Sequence, residues 1–382
     1  MKFKKTKTDW SRLGVAGRRF LHSLKEDLAN DVVRELLPAR GEERPVNSPR
    51  SDSAQPPPRP VIFASYATDE ATRGSHRFCG GEKLLNNLIL MLRRHGFEAY
   101  MVSLHGKHAD WLAEHAPFLS IPEFLAKKKA SGEVRCVTSW MKAKPFIDQC
   151  PEFYFWDHEL SASSRSHFPD LAGYLSRNRI VRTAGVNRAV QAWHRAVFET
   201  PALLLRQLID EEYWKPDPSR RVPVRVGYFD EGEHGAEFVR RIGELTEAAG
   251  LKLEFLRLEG VEKEIISAMQ TCGTFLALNV GKSPLWGEGG PMSPQEAMAC
   301  GTVPLCFDIN GPWELIQQHY NGVIVPDFTP DAMARELIGI YSQPGRLEEM
   351  SRRSLEMSVT SHSMRARWPD VVRFLDLPGE PE

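Results

Sequence analysis

Short apolar runs alternate with helical stretches twice over in this chain of 382 residues, and that alternation leaves few folds open. In the first series VIFASY, starting at Val61, reads as a strand. A helix follows from about Gly81 to His95, with Leu84, Leu85, Leu88 and Leu92 on one side and Gly96 as its stop. EAYMVSL, VRCVTSW and EFYFWD read as further strands, and residues 186–200 as a helix. The second series opens with VPVRVGYF, then a helix over 235–249, LKLEFLRL and a helix over 261–270. TFLALNV, the helix PQEAMAC, VPLCF, GVIVP and a helix from Thr329 complete it. Short apolar strands separated by helices imply parallel sheets covered on both faces, so the fold class is α/β.

The length also points to two domains. WKPDPSRRVP, residues 214–223, is the best connection between them, because its closely spaced prolines oppose a helix. The expected boundaries are therefore 61–215 for the first domain and 222–350 for the second. A helical segment over 351–382, carrying Trp368, Val371, Val372, Phe374 and Leu375, is expected to pack back on the body. Residues 46–60 read as a linker rich in Pro and Ser, with Pro56, Pro57 and Pro58 in sequence.

Residues 1–45 form a basic arm. Eight Lys or Arg residues fall in the first 25 positions, against Asp9 alone. Trp10, Leu13, Phe20, Leu24, Leu28, Val32 and Leu36 recur near helical spacing. The arm over residues 1–37 fits either peripheral contact with an anionic membrane or a helix with no such role. No run of eighteen apolar residues occurs, which argues against a spanning helix, and the basic start is not followed by the apolar run of a signal peptide; the expected location is the cytoplasm, free or at the inner face of the cell membrane. Forty-nine basic residues against fifty acidic ones give no general attraction to nucleic acid. The cysteines at 79, 136, 150, 272, 300 and 306 form no CxxC pair and read as buried thiols. No metal site and no cofactor are indicated.

Residues 281–308, GKSPLWGEGGPMSPQEAMACGTVPLCFD, carry the most chemistry. They leave a strand, cross a loop with Gly287, Gly289 and Gly290, and enter a helix near Ser293. Open parallel sheets bind ligands beyond the carboxyl ends of their strands, and free amides at a helix start receive phosphate. Glu288 and Glu296 supply carboxylates suited to paired hydroxyls. A competing reading makes Ser293-Pro294-Gln295-Glu296 a capping box, with Glu296 bonded to its own backbone.

Glu288 and Glu296, with seven residues between them, resemble the paired-glutamate motif of retaining glycosyltransferases of family 4, which have the GT-B fold. EGGPMSPQEAMACGTVPLCFDINGPWELI and NGVIVPDFTPDAMA resemble that family's donor loop and next segment. The resemblance implies two Rossmann-like domains facing a central cleft. It also implies a metal-independent hexosyl or deoxyhexosyl transferase that uses a nucleotide-sugar donor and a glycan or glycolipid acceptor, in polysaccharide biosynthesis. Glu296 then holds the donor ribose and Glu288 the donor sugar, with Gly289, Gly290, Pro291 and Met292 along the phosphates. CGGEKLLNNLILMLRRHGFEAYMV resembles the family's Gly-Gly-x-Glu segment, which gives Gly80 and Gly81 a donor-side role and Glu82 a supporting one. Asn86 and Asn87 could simply line the polar face of that helix.

FYFWDHELS offers Asp157 and His158 after a strand. Two registers fit the family: His158 matches its strand-end His, or Trp156 takes that place with Asp157 beside it, as in rhamnosyl-transferring members. The family's phosphate-gripping Arg and Lys are replaced: VGYFDEGEHG has Tyr228 or Phe229 and then His234 at those positions. Lys282 and Arg257 are the candidate replacements, with His234 if protonated. The alternative function is a catalytically weak GT-B protein that binds nucleotide or glycan, or acts as a scaffold.

Overall fold

The computed structural model describes residues 59–66, 80–139, 143–158, 174, 179–198, 201–229, 235–278, 291–308 and 311–378. Two parallel sheets, each with helices packed around it, form two Rossmann-like domains about a central cleft. In the first domain the strands are β1 (Val61–Ser65), β2 (Ala99–Val102), β3 (Phe118–Leu119), β4 (Val134–Thr138), β5 (Phe153–Asp157), β6 (Ile180–Gly185) and β7 (Ala202–Leu204). Its helices are α1 (Gly80–Arg94), α2 (Ile121–Ala130), α3 (Lys144–Ile147) and α4 (Arg188–Phe198). The second domain holds β8 (Val222–Tyr228), α5 (Gly235–Ala248), β9 (Glu254–Arg257), α6 (Glu262–Met269), β10 (Cys272–Ala277), α7 (Met292–Ala299), β11 (Val303–Phe307), β12 (Val323–Val325) and α8 (Pro330–Tyr341). Helices α9 (Arg346–Ser361) and α10 (Met364–Leu375) end the described chain.

The first sheet runs β3-β2-β1-β4-β5-β6-β7 and the second β12-β11-β10-β8-β9. Each order reverses once, between β1 and β4 in the first sheet and between β8 and β10 in the second. Crossover helices on opposite faces part at such a point, and the crevice left at the strands' carboxyl ends is where open α/β sheets take ligands. Helix α1 follows β1, and α7 is the next described helix after β10. The two helices that open the candidate site therefore start beside the two switch points.

Helix α1 is buried from Glu82 to Leu92, not on one side alone. Its apolar residues pack on the first sheet, and Met364, Val371, Phe374 and Leu375 of the terminal helices join the same core. Asn86 and Asn87 are likewise buried rather than lining a polar face. Asn86 Nδ2 donates to the Glu114 carbonyl at 3.1 Å, its Oδ1 accepts from the Ala116 amide at 2.9 Å, and Asn87 Nδ2 donates to the Leu208 carbonyl at 2.8 Å. Each buried amide thus replaces the water it lost.

The last helices return across the molecule. Helix α9 packs on α7 and α8 of the second domain, whereas α10 lies against the first. Trp368 stacks on His95 at 3.6 Å, and Phe374 meets Tyr154 edge to face at 5.6 Å. Between α9 and α10 the chain pairs with the connection after β7: the Ile209 amide donates to the His362 carbonyl and the Met364 amide to the Ile209 carbonyl, both at 3.0 Å. The five described cysteines, Cys136, Cys150, Cys272, Cys300 and Cys306, are buried thiols. Among the described residues no helix is long and apolar enough to cross a membrane. The basic arm and the linker to Pro58 lie outside the described residues.

Phe374→Ala should cost about 3–5 kcal/mol, the usual range for emptying a fully buried aromatic site. Urea denaturation followed by tryptophan fluorescence measures it; a cost near zero would mean that α10 does not contribute to the first domain's core.

Candidate functional site

At the start of α1, space requires glycine at Gly81 but not at Gly80. A Cβ on Gly81 would lie 2.2 Å from the Tyr66 ring, so a side chain there would displace the residue that follows β1. A Cβ on Gly80 would sit 3.9 Å from Met292 Sδ, at the start of α7 in the other domain. The amino ends of α1 and α7 therefore face one another across the cleft, and both turn the positive ends of their dipoles toward it.

Helix α7 begins two residues earlier than a Ser293 cap requires. Pro291 occupies the cap position in extended conformation and makes no side-chain cap bond. The capping-box reading is thereby corrected, and the Glu296 carboxylate does not turn back on its own helix. It crosses to α1, where Lys83 Nζ donates to Glu296 Oε1 at 2.5 Å. Lys83 also pairs with Glu262, at the start of α6. All three side chains are buried, with 6% of Lys83, 7% of Glu262 and 8% of Glu296 exposed.

The cluster is locked from several directions. The Ala113 amide donates to Glu262 Oε2 at 2.6 Å and Trp214 Nε1 to Glu262 Oε1 at 3.2 Å. The Glu262 amide donates to the Trp111 carbonyl at 2.8 Å, and Lys83 Nζ stands 4.5 Å from the centre of the Trp214 ring. One ammonium faces two buried carboxylates. Burial opposes the Lys83 charge, but Glu296 and then Glu262 outweigh it, and the ammonium's pKa is raised. Burial likewise raises the Glu296 pKa, opposed by Lys83 and reinforced by the like charge of Glu262. A second tie joins the domains through Glu314, which accepts from the Arg188 amide at 2.5 Å and from Arg206 Nη2 at 3.1 Å.

Asp157 and His158 stand at the carboxyl end of β5, on the same edge of the sheet as the end of β1. Asp157 Oδ2 shares a 2.8 Å hydrogen bond with Nε2 of His194, a wholly buried residue of α4. His158 packs edge to face on Trp156 at 4.6 Å, and neither ring nitrogen has a hydrogen-bond partner among the described residues. Burial pulls its pKa down to about 3, so the ring is neutral at physiological pH.

The residues expected to replace the family's Arg fold inward. Tyr228 packs against the core on one side of the second sheet, and Phe229 against the core on the other, edge to face with Phe275 at 5.6 Å. Arg257 ends the edge strand β9, about half exposed, and pairs with Glu259 at 3.3 Å. Glu288, Gly289, Gly290, Lys282 and His234 lie outside the described residues. Among the described residues no group of three or more His, Cys, Asp or Glu side chains is placed to hold a metal ion.

Lys83, Glu262 and His194 were not singled out from the sequence. A signal for Lys83 is nonetheless present: counted from Gly80, the Glu of Gly-Gly-x-Glu falls on Lys83, with the acid one place earlier at Glu82. Glu262 and His194 carry no such signal, since one opens a helix among other acids and the other sits in an ordinary amphipathic helix.

Residues 228–357 match the family model described as glycosyl transferases group 1. The structure is similar to HepE of Anabaena in complex with UDP-glucose, at 13% identity and a TM-score of 0.61, covering 83% of this chain and 99% of that one. The sucrose-phosphate synthase of Thermosynechococcus elongatus is similar at 13% identity and a TM-score of 0.59, over 82% of this chain and 98% of that one. A glycosyltransferase from Rickettsia africae gives 12% identity and a TM-score of 0.58, over 83% and 99%. The fold is GT-B. No curated protein matches the chain.

The His158 geometry has a consequence for acid stability. Its folded pKa lies below its ordinary value, so its contribution is complete above pH 6.5 and is lost as pH falls toward 3. By pH 5 the loss is about 2 kcal/mol. His158→Leu should therefore shrink the drop in Tm between pH 7 and pH 5, read by scanning calorimetry. An unchanged drop would mean that His158 is charged in the folded protein.

Proposed function

We propose that this chain is a retaining, metal-independent glycosyltransferase, moving a hexosyl or deoxyhexosyl group from a nucleotide-sugar donor to a glycan or glycolipid. One observation carries the reading: Glu296 is buried at the cleft, turned toward the other domain, instead of capping its own helix. The match of residues 228–357 to the group 1 family, and the likeness to a fold seen with UDP-glucose in HepE, support it.

In this reading the donor's base and ribose lie against residues 280–320, and Glu296 accepts from the ribose hydroxyls. Glu288 holds the donor sugar. Amides near Gly80, Gly81 and Gly289 to Met292 take the diphosphate, whose growing negative charge they stabilise as it leaves. The acceptor oxygen bonds to the anomeric carbon on the face from which the phosphate oxygen departs, and its proton passes to that phosphate oxygen. Asp157, oriented by His194, and neutral His158 position hydroxyls without adding positive charge. The inward-facing Tyr228 and Phe229 favour the second reading, a weakly catalytic nucleotide-binding protein, because an aromatic residue stands where the family's Arg is expected.

Calorimetry with UDP, GDP and dTDP tests the donor site. Glu296→Ala should weaken the best of them by about 10- to 100-fold, the scale of losing charge-assisted hydrogen bonds. Glu288→Gln should leave that affinity in place and lower kcat. Equal affinities in wild type and Glu296→Ala would remove Glu296 from the site and the reading with it.

The basic arm over residues 1–37 is proposed to hold the enzyme on anionic membrane. Deleting residues 1–45 should spare cleavage of soluble donor and abolish sedimentation with phosphatidylserine vesicles. Sedimentation that persists at the wild-type level would show that the arm is not the anchor.

A further inference from the structure

Two departures from the family pattern face each other across the cleft. The second domain has aromatic residues where a cation is expected, and both are packed into cores. The first domain has Lys83 where the Gly-Gly-x-Glu pattern has its acid. The ammonium of Lys83 is buried 2.5 Å from Glu296, the carboxylate assigned to the ribose.

Buried ammonium groups need compensating charge, and so does a desolvated diphosphate. Without donor, Lys83 is shared by Glu262 and Glu296, a cluster with one negative charge in excess. When ribose hydroxyls take Glu296, the ammonium loses that partner while Glu262, fixed by Ala113 and Trp214, still holds it. The diphosphate is attached to the same ribose, so it arrives within reach of the released charge. The amino ends of α1 and α7 flank that position.

We infer that Lys83 exchanges partners on donor binding, leaving Glu296 for the donor diphosphate and supplying the positive charge that an aromatic residue at 228–229 does not. The inference rests on the nucleotide-sugar reading of the cleft. Lys83 is thereby a residue that touches substrate, and the Lys83–Glu296 pair is a contact that donor binding must break.

The test compares a nucleoside with its diphosphate. Among UDP, GDP and dTDP the tightest binder is chosen, and calorimetry gives Kd for it and for the matching nucleoside. In Lys83→Met the preference for the diphosphate should fall by about tenfold or more, with nucleoside affinity kept within about threefold, since charge-assisted contacts to phosphate are lost alone. Retained nucleoside binding shows that the variant is folded. Lys83→Met combined with Glu262→Gln removes the unpaired buried carboxylate and should give the same loss; Lys83→Arg should restore most of the preference. Glu296→Ala, by contrast, should weaken nucleoside and diphosphate alike. A wild-type preference in both Lys83→Met variants would overturn the partner exchange and leave the donor site standing. Failure of the wild type to bind any of the three diphosphates would overturn both.

Discussion

One buried ammonium between two buried carboxylates joins the lobes of this protein, and the candidate site is arranged around it. Lys83 comes from the first domain; Glu262 and Glu296 come from the second. Such a cluster is a poor way to gain stability, because removing three charges from water costs more than a well-packed apolar contact would. Its value lies elsewhere. The Ala113 amide and the Trp214 indole N–H hold the Glu262 carboxylate in place, so the charge is set in a fixed position at the meeting of two sheets. A preorganised charge in a low-dielectric crevice is what a polar ligand meets without waiting for the protein to rearrange.

The position follows from topology. Each sheet reverses its strand order once, and the helix nearest each reversal, α1 or α7, opens toward the other domain. Gly81 lets α1 begin close to Tyr66, and Gly80 faces the Met292 side chain at the start of α7. On the first sheet, the carboxyl end of β5 adds a neutral His158 and an Asp157 oriented by His194. The two walls thus differ in character. One carries the buried Glu296 carboxylate, and the other an ammonium, a buried carboxylate and an uncharged imidazole.

Much of the architecture was legible because burial leaves a periodic mark. Strands covered on both faces appear as short apolar runs, and VPLCF at 303–307 is a strand at those very bounds. Thr329 caps α8 by accepting from the Ala332 amide, as the expected helix start requires. Short or weakly apolar elements left no such mark. β3 and β7 are two and three residues long, and LKLEFLRL yields a strand of four residues because its ends fray at a sheet edge. The burial of Asn86 and Asn87 was also hidden, since polar residues on a helix mark a solvent face unless backbone groups from elsewhere satisfy them.

The sequence by itself determined the α/β class, the two series of parallel strands and the carboxylate at Glu296, all of which depend on local pattern or spacing. Only the tertiary structure decided what Glu296 does with its charge. A capping box and a cleft-facing acid have the same local sequence, and the choice between them is made by Lys83, 213 positions away along the chain. The same holds for Glu262 and for the Asp157–His194 pair, whose partners meet only after the sheets and helices have packed. Electrostatic partnership depends on distance through space, which periodicity along a chain does not encode.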